Sequence, residues 1–172
     1  YNLLSQKEIL TEDIFLKNKF KQDWVYGLNS MKDGTHYTTL EYRGDTISIE
    51  KYSYETGKRV STILSSIQLQ NVNFSSYTFN SDESLILLEA ESSPIYRYSK
   101  EGVYYIYDLE TSETTKISDK QIRLTQFSPN SEYISYVLRN NIYLFNTVTK
   151  RTKKITHNGL PNKIICGATD WV

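Results

Sequence analysis

The sequence predicts an all-β fold, a partial β-propeller of about three four-stranded antiparallel blades, on three observations. Fifteen Tyr, two Trp and six Phe stand among many Thr, Ser, Ile and Val with only three Pro and seven Gly, a composition suited to pleated strands. A motif of strand, polar turn and strand recurs: Tyr77 to Ile86 lies over Thr125 to Ile134, with Phe79 and Phe127 48 residues apart. A looser third copy, Met31 to Tyr37, precedes Phe127 to Tyr133 by 96 residues, twice that spacing.

In chain order, Thr11 is expected to cap a short helix beginning at Glu12-Asp13, whose carboxylates suit the positive helix end, with Ile14 and Phe15 docking it. The first repeat then runs from the Asp33-Gly34 turn through Ile47-Ser48-Ile49 and a polar turn at Tyr54 to Lys58, ending at Thr62-Ile63. The second carries Tyr105 to Thr111 leading to Lys116-Ile117, and the third Tyr143 to Thr149 leading to Lys154-Ile155. Four short strands per repeat of about 40 to 50 residues is the pattern of a propeller blade. Tyr105 and Tyr143 are only 38 residues apart, so the middle repeat carries ten extra residues between its second and third strands, near Glu89 to Ser99. A blade hairpin does not need that extension for its own stability, which raises a functional role against the alternative of a tolerated surface insertion.

Charge and residue inventory narrow the function. The 172 residues hold 20 Lys+Arg against 20 Asp+Glu, so no overall field draws in nucleic acid or an anionic membrane, and neither is expected as a partner. The only cysteine, Cys166, allows no disulfide within the sequence and no cysteine metal cage, and no metal or cofactor is expected. No apolar run approaches the roughly 18 to 20 residues of a membrane span. With no Met at position 1 and no charged-then-apolar leader before Tyr1, the sequence is expected to be an internal segment.

His36 and His157 lie in or beside turns and read as solvent-exposed turn residues rather than ligands. Lys150, Arg151, Lys153 and Lys154 suggest either base stacking alongside the tyrosines or a charged rim on an exposed strand. The equivalent Ser112 to Thr115 hairpin is not basic, which favours the rim. No Gly-x-Ser-x-Gly nucleophile turn occurs, and no catalytic residue is assigned.

Several phrases, in order and spacing, resemble one family. They are Leu10 to Phe15, Leu87-Leu88-Glu89, Tyr105-Ile106-Tyr107-Asp108-Leu109, Phe127-Ser128-Pro129, Asn141-Ile142-Tyr143, Ile155 to Gly159, and Asn162 to Val172. This is similar to the dipeptidyl peptidase IV branch of the prolyl oligopeptidase family of serine peptidases. The resemblance implies an eight-bladed propeller joined to a C-terminal α/β-hydrolase domain, with residues 1–172 forming about the first three blades. It implies an exopeptidase that removes N-terminal dipeptides with Pro or Ala in second place, its propeller restricting access and anchoring the substrate N-terminus. A tyrosine and two glutamates are expected directly after Val172. Arg97, in the extension, matches the family's substrate-facing arginine; the alternative is a surface ion pair with Glu91 or Glu101. Arg123, outside the extension, is expected to be neutral for activity. Export to the periplasm or cell envelope and homo-oligomer formation, mainly through elements outside these residues, follow from the resemblance alone. The segment by itself is expected to be inactive. The rival reading is a noncatalytic propeller that binds protein or carbohydrate.

Overall fold

In the computed structural model, which describes residues 8–22, 24–70, 72–95, 97 and 99–169, three four-stranded antiparallel sheets follow one another along the chain. The first comprises β1 (Tyr26–Ser30), β2 (His36–Arg43), β3 (Thr46–Ser53) and β4 (Arg59–Ser65). The second comprises β5 (Phe74–Phe79), β6 (Leu85–Pro94), β7 (Lys100–Asp108) and β8 (Thr114–Lys116). The third comprises β9 (Arg123–Phe127), β10 (Tyr133–Leu138), β11 (Asn141–Asn146) and β12 (Thr152–Lys154). Each sheet is a meander of consecutive hairpins, the architecture of propeller blades.

The turn between the first two strands of each blade is built by one side chain. Asp33, Asp82 and Asn130 accept the backbone N–H two residues on, from Thr35, Ser84 and Glu132, at 2.9, 3.1 and 3.3 Å. The residue between, Gly34, Glu83 or Ser131, has φ of 68°, 61° or 61°. Gly34 is therefore the counterpart of Ser131, 97 residues on, and the sequence register of 96 is one residue short. The Asx oxygen fixes the turn, whereas the spacing of 96 matches Met31 to Phe127 and Tyr37 to Tyr133. The turn between the third and fourth strands repeats the device: Asp108 Oδ1 accepts from Glu110 and Thr111, and Asn146 Oδ1 from Val148 and Thr149.

The core lies between sheets. Ile86, Leu88 and Tyr107 of the second sheet pack with Leu40, Ile49 and Leu64 of the first, while Leu87, Tyr104 and Ile106 pack with Ile134, Tyr136 and Phe145 of the third. Successive residues of a strand face opposite ways, so burial on both faces leaves β6 with the unbroken apolar run Leu85 to Leu88. Each such side chain removed from water contributes about 1.5 to 3 kcal/mol. At the first joint the Tyr77 hydroxyl lies 2.6 Å from both the Gly27 carbonyl and the Thr38 hydroxyl.

The N-terminal helix α1 (Thr11–Phe15) departs from expectation. Leu10 occupies the capping position and Thr11 is the first helical residue; the capping residue's side chain makes no hydrogen bond, and the Asp13 carboxylate accepts the Leu10 N–H at 3.5 Å instead. Ile14 and Phe15 are exposed, and the buried residue is Asp13, whose carboxylate takes Lys17 at 3.1 Å and Lys19 at 3.5 Å. With only five residues, the helix is fixed by this acid and its two lysines instead of an apolar face. No helix among the described residues is long and apolar enough to cross a membrane.

Candidate functional site

In the third sheet β10 and β11 turn over just after Leu138 pairs with Asn141. The corresponding pair in the second sheet is Ala90 with Val103, but there β6 and β7 run on through Ser93 opposite Glu101 and Pro94 opposite Lys100. The Ile95 N–H donates to the Ser99 carbonyl at 2.7 Å and closes the end. The insertion thus continues the hairpin as far as Pro94 and Lys100. Its base is fastened where Gly102 and Ile122 exchange two backbone hydrogen bonds of 2.9 and 2.8 Å. A Cβ on Gly102 would stand 3.0 Å from the Ala90 carbonyl oxygen, so a side chain there would press on the β6 backbone.

Beneath the extension lies a charged layer. The Glu89 side chain is 8% exposed and has the Lys100 Nζ at 2.6 Å. Tyr104, directly across the ladder from Glu89, has its hydroxyl pKa pushed up to about 12, chiefly by burial and further by the Glu89 charge, with the Thr125 hydroxyl pulling the other way.

A cleft of about 580 Å³ opens between the hairpin end and residues 161–169, with Ile95, Ser99, Arg123, Asn140 and Lys163 in its wall. It adjoins a cavity of about 290 Å³ reaching Glu89, Tyr104 and Thr125; the two share Ser99, Arg123, Ala168 and Thr169. The far wall is pinned to the β10–β11 turn. Asn141 Oδ1 accepts the Gly159 N–H at 3.1 Å, and the Asn140 carbonyl accepts the Cys166 N–H at 3.0 Å. Gly167, at φ 78°, lies so close to Ile142 that a Cβ would stand 2.7 Å from its Cγ1.

Arg97 sits in the connection between Ile95 and Ser99, both cleft residues, and is itself exposed rather than part of the described wall. Its neighbours Tyr96 and Tyr98, like Asp170, Trp171 and Val172, lie outside the described residues. Arg123 lies outside the extension, as the sequence placed it, yet it lines both cavities. A bulge puts it there. Val137 opposes Arg123 and Ser135 opposes Gln126, so two residues of β9 face one of β10, and Leu124 takes φ 54°. Nothing in Arg-Leu-Thr-Gln distinguishes this from a regular strand, so the sequence carried no signal for it. His36 is half-buried and its Nδ1 lies 2.7 Å from Asp33 Oδ2, which ties it to the first-blade turn; His157 is exposed. Lys153 and Lys154 fall on β12, the outer strand of the third sheet.

Three consecutive blades with a hairpin-bounded cleft at the second define a segment of a β-propeller. Residues 80–172 match the dipeptidyl peptidase IV N-terminal region, and the chain belongs to that family. Prolyl endopeptidase FAP of Homo sapiens is 38% identical over 171 residues, covering 98% of this chain and 21% of the relative. Dipeptidyl aminopeptidase B of Saccharomyces cerevisiae is 33% identical over 103 residues, covering 60% of this chain and 12% of that protein. The crystal structure of Porphyromonas gingivalis dipeptidyl peptidase 4 superposes with a TM-score of 0.78 at 28% identity, over 96% of this chain and 24% of that one. The chain therefore spans about a fifth to a quarter of the length of these full-length matches.

Proposed function

We propose that residues 1–172 are the N-terminal part of the propeller domain of an exported serine exopeptidase that removes Xaa-Pro or Xaa-Ala dipeptides from peptide N-termini. In this reading the propeller gates access to a C-terminal α/β-hydrolase domain and helps hold the substrate N-terminus. The observation that carries it is the lengthened β6–β7 hairpin, which brings the Arg97 connection to the rim of a cleft in a chain of the dipeptidyl peptidase IV family. A guanidinium offers planar, paired donors to a substrate carbonyl and to neighbouring carboxylates, so Arg97 sets the register of the bound dipeptide. Similarity to prolyl endopeptidase FAP favours a second reading in which cleavage after proline does not need a free N-terminus.

The full-length protein is expected to hydrolyse a Gly-Pro chromogenic amide and to spare its N-terminally blocked form, while the 172-residue segment alone has no activity. Arg97→Ala should lower kcat/KM roughly ten- to a hundredfold, the loss of a charge-assisted hydrogen bond of about 1.5 to 3 kcal/mol. Arg97→Lys should recover little, since an ammonium keeps the charge and loses the fork. Arg151→Ala, an exposed change beside β12, serves as the neutral reference. Equal kinetics for folded Arg97→Ala and Arg151→Ala would remove Arg97 from the site. Cleavage of the blocked substrate supports the endopeptidase reading, and no cleavage of either supports a binding propeller.

A further inference from the structure

We infer that the cleft between the β6–β7 hairpin and residues 161–169 is a binding site for an anionic group, held by Arg123 and Lys163, and that its occupant is the carboxylate side chain of a peptide. The inference rests on the proposed function for the peptide nature of the ligand.

Three features of the cleft carry it. In a regular strand Arg123, Leu124 and Thr125 would alternate between faces, yet all three line the smaller cavity. The bulge that allows this holds Leu124 at φ 54°, a conformation leucine rarely adopts, and leaves its side chain 55% exposed. Strain that packing does not repay points to a role at the surface it re-aims.

The second feature is charge. Arg123 and Lys163 are the ionisable residues in the wall of the larger cavity, and neither forms an ion pair among the described residues. The hydrogen-bond partner of Arg123 is the neutral Asn140 Oδ1, at 3.5 Å. The nearby Glu89 carboxylate is already engaged by Lys100. In a chain with 20 cationic and 20 acidic residues, the described wall of this cleft is locally positive and suits an anionic ligand.

Third, the site is rigid and mixed in character. The glycine contacts described above fix the wall bearing Lys163, and Ile95, Leu124 and Ile165 place apolar surface beside the cations. A carboxylate on a short methylene stem fits that combination, and the guanidinium fork matches its two oxygens.

The test measures binding of two labelled, C-terminally amidated pentapeptides to the full-length protein: Gly-Pro-Gly-Glu-Gly and its Gln counterpart. Each has a reduced, non-hydrolysable bond after the second residue. The acidic peptide should bind at least tenfold tighter, with the advantage shrinking as salt is added. Arg123→Gln and Lys163→Gln should each remove most of it, and Arg151→Gln should leave it intact, with circular dichroism confirming that the variants are folded. Equal affinity for the two peptides, or an advantage that survives both cleft substitutions, overturns the inference. Hydrolysis of the Gly-Pro amide by the same preparation separates the two claims. Activity without acid preference removes the anionic subsite alone, whereas acid preference without activity keeps the subsite and removes the peptidase reading.

Discussion

At Gly159 a Cβ would stand 2.1 Å from the Asn140 carbonyl oxygen and 2.7 Å from Asn141 Nδ2, so no side chain fits unless backbone moves. The approach is enforced by the Asn141 side chain, which accepts the Gly159 N–H. Gly34 is a different case: its φ is 68°, but a Cβ there meets nothing within 4 Å. Gly159→Ala should therefore destabilise by about 1 to 3 kcal/mol or more through backbone displacement, as overpacking does. Gly34→Ala should cost about 1 to 2 kcal/mol, the left-handed penalty alone. Urea denaturation of the two variants makes the comparison, and an equal or smaller loss for Gly159→Ala would contradict the close contact. His157-Asn158-Gly159 was legible as a turn from its residue types. What Gly159 packs against was not, because that contact is made with a residue 18 positions earlier.

The β6–β7 hairpin depends on a pair that is dry at one end and wet at the other: the Glu89 side chain is 8% exposed and that of Lys100 52%. Removing the acid leaves the buried Tyr104 hydroxyl facing a void and releases Lys100 to solvent. Glu89→Ala should loosen the extension by about 1 to 3 kcal/mol, the usual cost of leaving buried polar groups unsatisfied. Amide exchange of residues 90–103 should accelerate while residues 133–146 stay protected; uniform acceleration would mean that Glu89 supports the whole fold instead. The length and position of this element could be read from the change of repeat spacing, and with it the place of Arg97. The opposite wall could not. The β9 bulge turns on one residue with positive φ, and the 161–169 segment is held by long-range hydrogen bonds, neither of which leaves a periodic trace in sequence.

Across the whole molecule the repeated turns make acid stability uneven. In the first blade Asp33 is held well below its ordinary value of 3.8, chiefly by the Thr35 N–H and further by His36. In the second, hydrogen bonds from Ser84 lower Asp82 and the Thr111 N–H lowers Asp108. Glu50, buried in the first blade, is also lowered: burial works to raise it, but hydrogen bonds from Arg59, Ser48 and Thr62 outweigh that. The third blade makes both corresponding turns with Asn130 and Asn146, whose carboxamides do not titrate. A carboxyl group with a depressed folded pKa contributes stability that is complete above its unfolded value and is lost as pH falls through the folded one. Thermal stability should therefore be flat in this respect above about pH 5 and decline below about pH 4. Because all four acids lie in the first two blades, that decline should be local as well as global. Hydrogen exchange near pH 3 should show the Asp33, Asp82 and Asp108 turns losing protection before those at Asn130 and Asn146. Asp82→Asn and Asp108→Asn together keep the Oδ1 acceptors and remove two of the titrations, so they should flatten the acid limb. If the triple set of Asp turns and the Asn turns open in step as pH falls, the carboxylates are not what couples this fold to acid.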